Sequence, residues 1–193
     1  MERYLFTELQ EWTSRTRRKP LILRGARQVG KTWLVERLAR LEFRYFLKIE
    51  FEEDPQLISM FEGALNPEKI CAELELRTGI NIIEGETLLF FDEIQICPRA
   101  IMALRYFYEQ MPDLHVIAAG SLLEFVFSEI SFPVGRIQSL DVHPMNFSEF
   151  LMALNFQQAA AVCNEPVIEV SESTHEFLLE QLRNYWFVGG MPE

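Results

Sequence analysis

The chain has 193 residues, 49% apolar and 24% charged, which allows one packed domain or one domain with a small appendage. Sixteen Phe exclude a wholly disordered chain, and nine Gly with nine Pro exclude a collagen-like fibre. The net charge of −11 is unevenly spread, with twelve Lys/Arg against six Asp/Glu in residues 1–50 and six against twenty-three in the remainder. Such a molecule repels nucleic acid and anionic membrane at long range, yet leaves room for a local anion site near its N-terminus.

Three dispersed cysteines, Cys71, Cys97 and Cys163, without a CxxC pair, point to neither a disulfide framework nor a cysteine zinc site and fit a reducing cytosol. The N-terminus lacks the build of a signal peptide. The most apolar run, Val116 to Phe127, is interrupted by Ser121 and Glu124, short of the ~20 residues of a membrane span. A soluble, cytoplasmic protein is expected.

Leu5, Leu9 and Trp12 follow a helical period, predicting an amphipathic helix over residues 2–14. Pro20 to Arg24 is a short apolar strand, and Leu34, Leu38 and Leu41 mark a helix over 31–41. Phe43 to Phe51 reads as a second strand. Asn66-Pro67 is an N-cap followed by a proline at the first helical position, opening a helix through Leu74. Thr87 to Phe91 is a continuous apolar run that suits a strand buried on both faces, ending in Asp92-Glu93. A helix follows Pro98, a buried strand runs from Leu114 to Ala119, and Ile137 to Val142 is a fifth strand. Beyond it, Asn146 with Glu149 and Ser173 with Glu176 read as capping boxes, the second opening a helix through Leu178, Leu182 and Trp186. Residues 155–172 carry little pattern. The alternation of strands and helices predicts an α/β parallel sheet over 1–142 and a small helical appendage over 143–193.

Gly25-Ala26-Arg27-Gln28-Val29-Gly30-Lys31-Thr32 matches GxxxxGK[ST] and lies between a strand and a helix, the setting that a phosphate-binding loop requires. Its glycines permit close backbone approach, its amides converge on phosphate oxygens at a helix N-terminus, and Lys31 supplies a mobile charge. Thr32 is a ligand for Mg²⁺, and Trp33 belongs to the same nucleotide-contacting stretch. Nucleoside triphosphate binding is therefore expected, with Mg·ATP as the cofactor pair. Arg27 occupies a variable position and is expected in solvent.

Asp92 at the carboxyl end of its strand is expected to hold Mg²⁺, directly or through water. Glu93 is the candidate base for the attacking water, which favours hydrolysis over phosphotransfer. Ser121 is either a polar contact to the γ-phosphate or a helix N-cap. Arg136 is either a γ-phosphate sensor, a finger acting on a neighbouring subunit, or a surface charge. His115, His143 and His175 lack metal-ligand spacing, and Arg15, Arg17, Arg18 and Lys19 read as a solvated basic face.

With these residues together, the sequence resembles the prokaryotic AAA-type ATPases whose core precedes a C-terminal domain of unknown function. The matching stretches are LILRGARQVGKTWLVE (21–36), LLFFDEIQ (88–95), VIAAGSLLEF (116–125), FPVGRI (132–137), HPMNFSEFL (143–151) and GGMPE (189–193). The resemblance implies a five-stranded parallel sheet in the order 5-1-4-3-2. In that family a nuclease-like second domain commonly follows the core, and a chain stopping just past GGMPE is expected to be a fragment that ends before it. Two functions fit: an ATPase coupling hydrolysis to a conformational change in itself or a protein partner, or a nucleotide-gated interaction module that turns over rarely. Homo-oligomers are compatible with both, whereas the −17 balance beyond residue 50 argues against a DNA track.

Overall fold

Period-two burial organises the molecule. In the computed structural model, which describes residues 3–121, 123, 135–165 and 169–192, five strands form one sheet in the order β2-β3-β4-β1-β5. The strands are β1 (Leu21–Arg24), β2 (Tyr45–Glu50), β3 (Thr87–Asp92), β4 (His115–Gly120) and β5 (Gln138–Asp141), and every pairing is parallel. This is the order 5-1-4-3-2 read from the other edge. All residues of β3 and β4 are buried, as befits central strands covered on both faces, whereas the edge strands β2 and β5 are partly open.

Successive side chains of β3 enter different cores. Leu88 and Phe90 face a layer made by α1 (Leu5–Ser14) and α2 (Lys31–Glu42), with Leu9, Trp12, Leu34 and Leu38. Leu89 and Phe91 face α3 (Pro67–Thr78) and α4 (Pro98–Gln110), with Ile70, Leu74, Ile101 and Phe107. Each large apolar side chain buried this way contributes about 1.5–3 kcal/mol. Asn66 caps α3 by accepting from the Lys69 amide at 3.0 Å, and proline stands in the first turn of both α3 and α4. A 3₁₀ segment, Pro55–Phe61, that no periodicity announced adds Phe61 to the second core.

Three helices follow β5: α5 (Phe147–Ala153), α6 (Gln157–Asn164) and α7 (Glu172–Val188). The capping box of α5 forms as expected: the Glu149 amide donates to Asn146 Oδ1 at 2.9 Å, and the Asn146 amide donates to Glu149 Oε2 at 3.1 Å. The second box does not. Ser171 is the cap of α7, accepting from the Thr174 amide at 3.3 Å, so Ser173 lies inside the helix. The competing hydroxyl two residues upstream starts the helix earlier. The weakly patterned stretch contains α6, whose alanine-rich sequence gives good helix propensity but a small apolar stripe. Trp186, expected on the apolar face, is 74% exposed beside Phe187. No helix among the described residues is long and apolar enough to cross a membrane.

His115 shows how tightly the α1 layer closes. Its ring lies edge-on to Trp12 and Phe43, and Arg18 Nη2 stands 3.0 Å from its Nδ1. Burial, reinforced by the Arg18 charge, pushes the imidazole down to about 4 from an ordinary 6.5. The unfolded chain therefore takes up this proton first, and the stabilisation is present above pH 6.5 and is lost as pH falls towards 4. The denaturant midpoint is expected to drop between pH 6.5 and 5, and His115→Gln should flatten that part of the profile; equal slopes for both proteins would refute the assignment.

Candidate functional site

The carboxyl ends of β1, β3 and β4 meet at one edge of the sheet, and the loop after β1 occupies it. Gly25 begins this loop at φ 153°, where a Cβ would overlap the Val142 carbonyl oxygen at the end of β5. Only glycine lets the chain leave the strand against that neighbour. The Val142 amide donates to the Arg24 carbonyl at 2.6 Å, and Arg24 Nη2 pairs with Asp141 at 2.9 Å, so β1 and β5 end locked together.

Val29 is fully buried and anchors the loop from below, while Gly30 caps α2 in the left-handed region. The Lys31 ammonium folds back over the loop, donating to the carbonyls of Gly25 at 3.0 Å and Ala26 at 2.7 Å. Burial lowers its pKa from the usual lysine value, against the charges of Glu93 and Asp92. Thr32 Oγ1 donates to Asp92 Oδ2 at 2.8 Å, joining the first turn of α2 to the end of β3 across sixty residues.

Asp92 also meets Lys48, whose ammonium lies 3.4 Å from Oδ2 and 2.8 Å from Glu50 Oε2. Burial raises the Asp92 carboxyl above the usual range, opposed by the Thr32 hydrogen bond and the Lys48 charge. Burial pulls the Lys48 ammonium down, but the hydrogen bond to Glu50 and the two carboxylate charges more than offset it. Among the described residues no three His, Cys, Asp or Glu side chains gather to hold a metal by themselves. Thr32 and Asp92 instead present two hard oxygens side by side, a pair that could hold a small divalent cation only with further oxygen ligands.

Glu93 leaves β3 at φ 48°, a left-handed turn that swings it away from Asp92, and its amide donates to Asp92 Oδ1 at 3.1 Å. Gln95 Nε2 donates a short hydrogen bond to Glu93 Oε2. The same carboxamide turns its oxygen, buried and without a hydrogen-bond partner among the described residues, onto Gly120, where a Cβ would overlap it.

A pocket of about 540 Å³ opens over the loop. Of the residues singled out in the sequence, Arg27, Gln28, Gly30, Lys31, Thr32, Trp33 and Glu93 line it, joined by Glu52 and Pro192. Arg27 is exposed and lies 3.9 Å from Glu52. Ser121 is buried one residue beyond β4, level with Gly25 by the strand register; the helix it was expected to cap falls largely on residues 122 and 124–134, outside the described ones. Of the three readings of Arg136, the geometry excludes the γ-phosphate sensor on its own chain and agrees with the surface charge. Arg136 precedes β5, at the opposite edge of the sheet from the loop, where its Nε pairs with Glu109 Oε1 at 3.0 Å. Parallel strands put their starts and ends on opposite edges, so a residue just before β5 cannot reach a ligand just after β1.

The sequence reading missed Lys48, Gln95, Glu52, Pro192 and Arg3. Lys48 carried a signal, a cation inside an apolar strand, and Gln95 stood two residues past the candidate base. Arg3, held by a residue 146 positions away, carried none.

Residues 17–151, well over half of the chain, match the family described as AAA domain. This chain belongs to the AAA-domain family. The Walker-type ATPase PABY2304 of Pyrococcus abyssi is similar in fold, with a TM-score of 0.54 at 20% identity. The match covers 97% of this chain but 63% of that one, so the chain spans less than two thirds of its neighbour's length. No curated protein matches. The AAA domain thus carries its GxxxxGK[ST] loop at the carboxyl edge of its sheet.

Gly25→Ala is expected to overpack the β1–β5 junction and lower stability by about 1–3 kcal/mol. An unchanged thermal midpoint would show that the loop leaves β1 by another path.

Proposed function

We propose that this AAA domain binds Mg·ATP and hydrolyses it, coupling the cycle to a conformational change in itself or in a protein partner. The observation that carries this reading is the Thr32–Asp92 hydrogen bond, because it brings the loop helix and the end of β3 to one point while Glu93 opens onto the same pocket. Thr32 and Asp92 would hold Mg²⁺, which when bound draws charge from the β- and γ-phosphates. The Lys31 ammonium would exchange the carbonyls of Gly25 and Ala26 for phosphate oxygens. Trp33 offers an aromatic face at the pocket wall for the base.

Glu93 is the group for the proton. Its carboxylate accepts a proton from the attacking water as the water oxygen bonds to the γ-phosphorus and the bond to the bridging oxygen breaks, leaving ADP and phosphate. Ser121 stands near enough to the loop start to contribute a hydroxyl to the same end of the sheet. The Gln95–Glu93 hydrogen bond favours a second reading, since a carboxylate already engaged by a carboxamide is less available as a base. A chain that binds ATP and turns it over rarely would be a nucleotide-gated module.

Lys31→Ala should weaken ATP binding at least tenfold in a calorimetric titration, because a charge-assisted contact to phosphate is lost. Unaltered affinity would remove the phosphate cradle from this loop. Glu93→Gln should keep ATP affinity and reduce phosphate release on the order of 10²–10⁴-fold. Turnover equal to that of the unaltered chain would exclude Glu93 as the base.

A further inference from the structure

The N-terminal arginine Arg3 is 5% exposed and is spent on three partners from three parts of the chain. Its Nη1 donates to the Val29 carbonyl of the phosphate loop at 2.9 Å, its Nη2 to the His143 carbonyl at 2.6 Å, and its Nε to Glu149 Oε1 at 3.1 Å. Glu149 is itself buried and fully used, accepting from the Tyr4 amide at 2.9 Å and closing the capping box of α5. A buried ion pair of this kind is costly unless its polar atoms are answered, and here each nitrogen of the guanidinium and both oxygens of Glu149 have a hydrogen-bond partner.

We infer that Arg3 is a positioning residue for the nucleotide, orienting the Gly30 amide and tying the phosphate loop to the helices that follow β5. The inference rests on the nucleotide reading of the pocket. A trans peptide sets its N–H opposite its C=O, so a guanidinium that fixes the Val29 carbonyl turns the Gly30 N–H away from Arg3. Gly30 lines the pocket on that loop. With no side chain of its own, Gly30 depends on its neighbours to hold this peptide plane. The buried Val29 side chain holds one end, and Arg3 holds the carbonyl.

The fork is what matters. A lysine keeps the charge but offers one ammonium where three donors meet three separated oxygens. Tension at α5 therefore reaches the loop through Glu149 and Arg3, and loop occupancy reaches α5 by the same route.

Arg3→Lys is the first variant, read by calorimetric ADP affinity well below its own unfolding midpoint and by amide chemical shifts in ¹⁵N-labelled protein. ADP should bind about tenfold more weakly, the loss expected for one misaligned hydrogen bond to a charged group. The ADP-induced shift of the Gly30 amide should shrink while that of Thr32 persists. Should that variant fail to fold, Glu149→Gln removes the ionic tether while its single side-chain oxygen keeps an acceptor for one of the two amides, Tyr4 or Asn146, that Glu149 serves, and the same two readings should move in the same direction by less. A folded variant that binds ADP as the unaltered chain does, or one in which the Gly30 and Thr32 shifts fall together, overturns the inference. An unaltered chain that binds no ADP overturns the nucleotide reading and this inference with it.

Discussion

Asp92 is a carboxylate at the end of a strand buried on both faces, and much of the site follows from keeping it there. An ionised group removed from water costs several kcal/mol unless its oxygens are answered. Three donors answer them: the Thr32 hydroxyl from α2, the Lys48 ammonium from β2, and the amide of Glu93 next in the chain. These donors come from separate elements, so each bond also fixes where one element ends. The loop helix, the edge strand and the turn carrying Glu93 are held to a common point.

The same logic explains which parts of the molecule could be read from sequence. Central strands advertise themselves, because Leu88 to Phe91 must satisfy two cores at once and so run apolar without a break. The loop advertises itself through glycines at fixed spacing. Local caps are legible when one candidate stands alone, as at Asn66 and Asn146, and misread when hydroxyls cluster, as Ser171 and Ser173 do. Arg136 shows the limit of order along the chain. Proximity to β5 was visible, but the edge of the sheet on which it falls depends on strand direction, and there Glu109 is its partner. Arg3 and Pro192 enter the site from the two chain ends by tertiary contact alone, which leaves no periodic trace.

The stretch after β5 is tied to itself beside the pocket. The Tyr185 hydroxyl donates to the Met145 carbonyl at 2.7 Å, and the Met145 amide donates to the Gly190 carbonyl at 2.7 Å. The segment that follows brings Pro192 to the pocket wall. A division of the chain at residue 142 therefore separates stretches of sequence whose contacts converge on the same cavity.

Gln95 and Gly120 lie on neighbouring elements and share one small volume, the carboxamide oxygen filling the space that a Cβ at 120 would take. The two positions are consequently not independent variables. A larger residue on the strand evicts the carboxamide, and with it the hydrogen bond that holds Glu93; a shorter residue at 95 relieves that overlap and leaves Leu123 Cδ2, 2.9 Å from the added Cβ, as the remaining close neighbour. Substitutions at this pair are expected to show epistasis, so the tolerance of either position is defined only for a stated partner.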